Sequence, residues 1–141
     1  MAKLTLEQAT KIIDVALGKG RDGKMKPLSV AVLDAGGNLV AFKKSDNSSV
    51  LRFEIAFGKA YGAIGMGMAS RNIENMAQQR PYFVNALAAA SGGRLVPVAG
   101  GLLIKTKDGE VVGSVGVTGD SSDNDELAGK AGIEAAGYTS E

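Results

Sequence analysis

Residues 94–136 read RLVPVAGGLLIKTKDGEVVGSVGVTGDSSDNDELAGKAGIEAA, and this stretch decides the fold of the chain. Pro97 and a glycine pair precede an apolar run at 102–104, and Asp108-Gly109 supplies the positive backbone dihedral that a two-residue hairpin turn needs. The pattern predicts three strands, at 94–98, 101–106 and 110–117. An acidic loop and a helix from Asp123 to about Ala136 follow.

The N-terminal part of the chain predicts a helix and a second hairpin. Thr5 and Gln8 form a capping box, and apolar residues recur at helical spacing as far as Leu17, ahead of two glycines. Two β-rich runs at 28–34 and 38–43 are separated by a Gly-Gly turn. We therefore expect a helix followed by a β-hairpin.

Three helices are predicted between the two hairpins. The first runs from Ser49 to about Gly65, with Asn47 and Ser48 as candidate caps, and shorter helices follow at 70–79 and 81–90. Glycines inside a helix cost roughly 1 kcal/mol each relative to alanine. Four glycines fall in or just after the first helix, at 58, 62, 65 and 67. We expect close packing of this helix to compensate.

These elements predict a single α+β domain over residues 1–141, with a five-stranded, mainly antiparallel sheet flanked by helices. A chain of 141 residues falls within the usual size of one domain and can bury a real core. Apolar residues make up 45% and charged residues 22%, which is ordinary for a globular protein.

The composition excludes several classes of function. The net charge is +1 and aromatic residues are only 5%, so the basic face with interleaved aromatics that is typical of nucleic-acid binders is missing. The chain has no cysteine and no histidine, which removes disulfides, thiolate nucleophiles, zinc sites and the commonest axial ligand of haem. It also lacks a signal-peptide pattern and any apolar run near the roughly 20 residues that span a bilayer. We expect a cytoplasmic protein with neither nucleic-acid nor membrane partners.

Three motifs resemble the GlcG/HbpS family, also called the haem-degrading domain family. They are VLDAGGNLVAF at 32–42, PVAGGLLI at 97–104 and GEVVGSVGVTGDSSDNDE at 109–126. The resemblance covers nearly the whole chain and implies a profilin-like fold and a homo-oligomer. It also implies that haem, which some members bind, is a candidate cofactor.

The same resemblance marks a ligand cleft. The segment IAFGKAYGA at 55–63 is similar to the family helix that borders this cleft, which implicates Lys59. The segment TGDSSDNDELAGKAG at 118–132 resembles the family's closing motif, so Thr118 and Asp120 are expected to border it as well. The cleft would lie between the Lys59 helix and the hairpin that begins with Gly100 and Gly101.

Residue spacing adds Arg52 to this set. Arg52 and Lys59 are seven residues apart and so lie on nearly the same helix face, where two cations would converge on one patch. Such a patch could clamp a carboxylate, with bidentate contact from arginine and a point charge from lysine. The alternative is a solvated helix face. The predicted ligand-binding residues are Arg52, Lys59, Gly100, Gly101, Thr118 and Asp120.

Two other patterns receive structural interpretations. Glycines 113, 116 and 119 have the spacing GxxGxxG and precede an acidic loop that would repel phosphate, so we expect packing or subunit contact rather than a nucleotide site. The acidic residues around Asp123 lack the pattern of a calcium loop. Capping of the last helix by Ser122 or Asp123 accounts for them, and no metal site is predicted.

Three functions remain open at this stage. The leading one is small-molecule binding, with haem or another flat carboxylated ligand as candidates. Methionines 66, 68 and 76, with Tyr61, Tyr82 and Phe83, would line an apolar cavity or fill a core. The second is an isomerase, deaminase or hydratase acting on a small carboxylated metabolite, with Lys59 assisted by Asp120 or Thr118. The third is an oligomeric scaffold assembled through glycine-rich surfaces.

Overall fold

The computed structural model describes residues 3–141. Its helices are α1 (Leu6–Asp22), α2 (Arg52–Met66), α3 (Ser70–Gln79), α4 (Pro81–Ala90) and α5 (Ser122–Ala135). Its strands are β1 (Ser29–Asp34), β2 (Leu39–Lys44), β3 (Gly101–Lys105), β4 (Val111–Thr118) and β5 (Thr139–Ser140). All four strand pairings are antiparallel, in the order β2-β1-β4-β3-β5. The predicted α+β class with a five-stranded sheet is confirmed.

A helical layer covers each face of the sheet. On one face, α1 and α5 pack against the aliphatic side chains of β1, β3 and β4, and together they form the main core. On the other face α2 lies across β4, β1 and β3, with α3 and α4 beyond it around Ile73, Val84 and Leu95. Both faces of the central strands are therefore buried.

The glycines of β3 and β4 bring the backbone of α2 directly onto the sheet. A Cβ atom on Gly116 would overlap the Ala56 carbonyl oxygen, and one on Gly101 would overlap the Lys59 carbonyl oxygen. Gly58 fits in the same way against Val96. The expected close packing of this helix is confirmed, because any side chain at these glycines would push α2 away from the sheet.

The strand predicted at 94–98 is wrong, and the fifth strand is the short β5 instead. The amide of Val96 donates to the carbonyl of Gly58 on α2 at 3.1 Å, and Pro97 has no amide hydrogen to offer a sheet ladder. Residues 94–98 therefore run over α2, and the edge of β3 is left for β5.

Two helix ends also differ from the predictions. α1 continues past Leu17 to Asp22, because Gly20 packs closely against Leu28 and leaves no room for a side chain. α2 begins at Arg52 and has no side-chain cap. The expected cap Ser48 instead donates to the carbonyl of Ser45.

The predicted caps of α1 and α5 can be compared with the structure. The capping box at the start of α1 is confirmed, with reciprocal bonds between Thr5 and Gln8. The cap of α5 is Ser121, whose hydroxyl accepts from the amide of Asn124 at 3.2 Å, and not Ser122 or Asp123. Within residues 3–141, no helix has the length and apolar character needed to cross a membrane.

Candidate functional site

The six predicted ligand-binding residues meet at one end of the sheet. Four elements come together there: the first half of α2, the start of β3, the end of β4 and the loop into α5. Two groups of hydrogen bonds join these elements: Arg52 bonds Thr118, and Lys59 bonds Asp125, which also accepts from the Asp120 amide. Each group bridges 66 residues of sequence between α2 and the segment at 118–125. The predicted clustering of these residues agrees with the geometry, and their individual environments differ sharply.

Lys59 is buried, with only 2% of its surface exposed. Its Nζ atom donates to the carbonyl of Val117 at 2.9 Å and to Oδ2 of Asp125 at 3.2 Å. Gly100, with φ of +129°, leaves the space for this side chain, since a Cβ there would lie 2.8 Å from Nζ. The lysine therefore fills the space between α2 and the glycine pair where a cleft was expected.

Asp125 is the partner that the sequence analysis did not assign to Lys59. It is 1% exposed, and its Oδ1 accepts from the amide of Asp120 at 2.9 Å. Burial raises the pKa of the Asp125 carboxyl and lowers the pKa of Lys59, and in each case the charge of the partner acts in the opposite direction. A lysine on an otherwise apolar helix face was the available signal, because such a charge needs a buried counter-ion.

Arg52 occupies a different environment from Lys59. Its Nη1 donates to the Thr118 hydroxyl at 2.7 Å and its Nε donates to the Ser49 hydroxyl at 3.1 Å. Among the described residues no carboxylate pairs with this guanidinium. The two cations therefore do not form a single clamp: Lys59 turns inward to Asp125, and the half-buried Arg52 retains donor capacity.

Asp120 ties the loop before α5 to the loop before β1. Its Oδ1 accepts from the amide of Lys26 at 2.9 Å, and its Oδ2 accepts from the side chain of Asn124 at 2.7 Å. The hydrogen bonds from Asn124 and from the Lys26 backbone lower the pKa of Asp120 to about 2. Its carboxylate is therefore ionised at neutral pH and already hydrogen-bonded within the protein. We interpret Asp120 as a residue that positions the loop before α5.

Two cavities bear on where a ligand could lie. One of about 200 Å³ includes Lys26, next to the Asp120 contact, together with Leu28 and Ser45. The other, of about 630 Å³, lies at the opposite end of the sheet and is lined by residues that include Asp34 and Val40. Only the second falls in the range of roughly 300–1,000 Å³ typical of pockets that enclose a small molecule.

The methionines fill a core. Met66, Met68 and Met76 pack against the second apolar cluster around Ile73, together with Ala77 and Leu87. Tyr82 is 70% exposed, and Tyr61 stacks on Phe57 with ring centroids 5.7 Å apart. Of the two interpretations left open for these methionines, core filling agrees with the packing. In the described part of the chain no group of three or more acidic side chains is placed to hold a metal ion.

The sequence of this chain matches a family model and a curated relative. The family model described as "Haem degrading protein HbpS-like" matches residues 4–134. An uncharacterised 15.0 kDa protein of the dhaT-dhaS intergenic region of Citrobacter freundii is 28% identical over 134 residues, which cover 95% of this chain and 92% of that protein.

Solved structures share the fold over nearly their whole length. A crystal structure of HbpS has a TM-score of 0.81 at 27% identity and covers 96% of this chain and 91% of that chain. A crystal structure of a PduOC–haem complex has a TM-score of 0.85 at 21% identity and covers 97% of both chains. The protein ORFY of Klebsiella pneumoniae has a TM-score of 0.86 at 22% identity, with coverage of 96% and 92%. At such identities the last two likenesses concern the fold.

Proposed function

Because the chain belongs to the HbpS-like family of haem-degrading proteins, we propose that it binds a small carboxylated molecule at the end of the sheet marked by Arg52 and Thr118, with haem as the first candidate. One observation carries this proposal: the Arg52 guanidinium is half-buried, contacts only hydroxyl groups among its side-chain partners, and has no carboxylate partner in the described chain. Arginine in such a setting retains the planar donor pair that matches a carboxylate.

The relatives support a small-molecule ligand. The family description names haem degradation, and one structural neighbour is a complex with haem. Haem carries two propionates on a flat apolar ring, so a guanidinium is a suitable contact for its acidic edge. The propionates therefore fit the residues around Arg52.

These residues do not offer a suitable axial ligand to haem iron. The chain has no histidine and no cysteine. At the proposed site Thr118 is 1% exposed with its hydroxyl bonded to Arg52, and Lys59 is 2% exposed with its amine bonded to Asp125. We therefore assign no chemistry to an iron centre here and propose that the acid groups of the ligand dominate its binding.

In this proposal each residue of the site has a distinct role in binding the ligand or in positioning the residues that bind it. Arg52 binds the acid group and Thr118 fixes the orientation of the guanidinium. Lys59, Asp125 and Asp120 hold the end of β4 against α2 and α5 through buried hydrogen bonds. Gly100 and Gly101 admit the Lys59 side chain and the α2 backbone. This network keeps Arg52 and Thr118 in one geometry before the ligand arrives.

Titration of the protein with hemin, followed by the Soret band, tests the proposal. We expect saturable binding that Arg52→Gln weakens by roughly tenfold or more, the size of a lost charged hydrogen bond. Arg71→Gln is the matched control, because Arg71 is also a helix arginine but pairs with Asp123 and Glu126 on the surface.

Two outcomes would overturn the proposed position of the ligand. If the Arg52→Gln variant and the native chain bound hemin with equal affinity, the proposed contact between Arg52 and the acid group of the ligand would be rejected. A loss of affinity confined to Val40→Phe, which fills the cavity at the opposite end of the sheet, would place the ligand there. Non-saturable adsorption of hemin in the native chain would remove haem as the ligand and leave small carboxylic acids to be tested.

An enzymatic role is the second candidate, favoured by the buried Lys59 amine whose pKa burial lowers. Such an amine could attack a carbonyl group or remove a proton if substrate reached it. Borohydride trapping of a carbonyl metabolite on Lys59 would support this role. Loss of this trapping and of turnover in a Lys59→Ala variant that remains folded by circular dichroism would identify the amine, whereas unchanged turnover in that variant would reject it.

Homo-oligomer formation remains part of the proposal, and the surface that would form it is not the glycine-rich strand. Gly113 and Gly116 are buried in the central strand β4, and α2 covers Gly116 directly. A subunit interface would need exposed groups such as Val50, which is 95% exposed, and Leu51, which is 60% exposed. Sedimentation of the native chain measures the subunit number.

A further inference from the structure

Ser29 carries a buried hydroxyl whose hydrogen-bonding capacity is unused. The residue is 0% exposed, and its Oγ is the buried side-chain polar atom of the described chain that has no hydrogen-bond partner. Buried polar groups are nearly always bonded, and an exception calls for a physical reason such as an absent ligand. The other buried serines follow the rule: Ser70 bonds the carbonyl of Val98, and Ser114 bonds the carbonyl of Ala60.

The sheet register places Ser29 beside the residues proposed to bind an acid group. Ser29 lies directly opposite Thr118 of β4 on one side and Lys44 of β2 on the other. Residues directly opposite one another in antiparallel strands project from the same face of the sheet. Since Thr118 meets Arg52 of α2 on this face, Ser29 projects from the face that α2 covers, with Thr118 and Lys44 as its neighbours across the two strand pairings.

The N-terminus of α2 adds to the positive potential at this point. The helix is 15 residues long and starts without a side-chain cap, and Glu54 is the acidic residue of its first turn, so the positive end of its dipole is offset in part. In the described chain Arg52 and Lys44 have no carboxylate partner, and the nearby Asp125 is committed to Lys59. Glu54 of the first helical turn is exposed.

We infer that Ser29, Arg52 and Thr118 form a carboxylate subsite, in which one ligand oxygen accepts from the Ser29 hydroxyl and the other from the Arg52 guanidinium. This inference rests on the proposed function and narrows its ligand class. Because Ser29 is 0% exposed, an acid reaches its hydroxyl only if the first turn of α2 moves aside, and a narrow, unbranched arm such as a propionate needs a smaller displacement than an acid attached directly to a ring.

Propionate itself is the probe. We expect titration of the isotopically labelled protein with sodium propionate to shift the Arg52 Nε–H signal and the amide signals of Ser29 and Thr118 in one saturable process. Benzoate, whose acid is attached directly to a ring, should bind at least tenfold more weakly. Sodium chloride at the same ionic strength serves as the reference, and inorganic phosphate tests the other anion chemistry that a guanidinium accepts.

Ser29→Ala and Ser114→Ala form a matched pair of variants. Ser29→Ala removes a hydroxyl with no partner, so it should preserve or raise the melting temperature while weakening propionate binding by roughly tenfold. Ser114→Ala removes a buried hydroxyl that donates to the Ala60 carbonyl at 2.8 Å, so it should lower the melting temperature and leave the affinity unchanged. If Ser29→Ala proves too unstable to study, the propionate-induced shift of the Ser29 amide signal in the native protein provides the test of this contact.

The outcomes separate this inference from the proposed function. Hemin binding that depends on Arg52 but not on Ser29, with no propionate shifts at these residues, would overturn the subsite and leave the function standing. Propionate binding that depends on Ser29, with no hemin binding, would support the subsite and reject haem. Phosphate binding more tightly than propionate, or benzoate binding equally well, would overturn the carboxylate-arm assignment.

Discussion

Lys59 and Asp125 form a buried ion pair, so the contribution of each residue to stability depends on the presence of the other. Both side chains are nearly inaccessible to water, at 3% and 2% exposure, and the amine and carboxylate lie 3.2 Å apart. Removing one member of such a pair leaves an uncompensated buried charge, whereas replacing both members with neutral groups of similar size costs far less. The stability of the fold therefore depends on the pair and not on the lysine alone.

The single variant Lys59→Met should destabilise the fold by about 3–5 kcal/mol because it strands the Asp125 carboxylate. The double variant Lys59→Met with Asp125→Asn should recover much of this loss, since the amide oxygen of the introduced asparagine would still accept from the Asp120 amide. Urea unfolding of the native chain, both single variants and the double variant gives the coupling energy. A Lys59→Met variant as stable as the native chain would instead indicate that the lysine is reserved for a ligand or substrate.

At the scale of elements, the contact between α2 and the sheet depends on glycine. Gly116 has backbone atoms of Ala56 and Ala60 where its Cβ would be, whereas Gly65 of the same helix has open space around it. Gly116→Ala must therefore displace α2 and should destabilise by about 3 kcal/mol or more. Gly65→Ala should stabilise by about 0.5–1 kcal/mol through helix propensity alone.

Thermal or urea unfolding of the two alanine variants measures this difference. The two substitutions are chemically identical, so the opposite signs isolate the close approach of the α2 backbone to β4. Equal effects of the two variants would mean that α2 moves freely on the sheet. The end of the sheet that holds Arg52 and Thr118 would then not be preorganised for a ligand.

The elements also show which features a sequence can predict. The hairpin turns at Gly37 and Gly109 and the capping box at Thr5 are local, because every residue that fixes them lies within a few positions. The prediction of a strand at 94–98 is wrong because the amide of Val96 donates to Gly58 on α2, a tertiary partner that no local pattern encodes.

The candidate site also combines features that local sequence predicts with features that depend on tertiary packing. The motifs brought Lys59, Thr118 and Asp120 to attention, but the ion pair between Lys59 and Asp125 bridges 66 residues and follows only from the packing of α2 against α5 and β4. The unused hydroxyl of Ser29 is visible only when all its possible partners are in place.

At the scale of the whole molecule, Asp120 makes the stability of the fold at low pH depend on a contact between two segments that are distant in sequence. Its carboxylate joins the loop before β1 to the first turn of α5, which are 94 residues apart at the Lys26 contact. Hydrogen bonds from Asn124 and the Lys26 backbone lower the pKa of Asp120 to about 2, below its ordinary value of 3.8. A carboxyl whose pKa is lowered on folding stabilises the native state above its ordinary pKa, and this contribution is lost as the pH falls through the folded-state value.

Asp120→Asn should therefore lose less stability than the native chain as the pH falls from about 4 to about 2, while starting from a lower stability at neutral pH. Urea unfolding across this range measures the effect, and Asp108→Asn in the exposed turn before Gly109 serves as the matched control. The acid response of carboxyls remote from Asp120 is common to all three proteins and cancels in the comparison, whereas the pKa of Asp125, which the charge of Asp120 raises, also changes in Asp120→Asn. If Asp120→Asn and the native chain lost stability in parallel through this range, the carboxylate of Asp120 would not be what holds the two segments together.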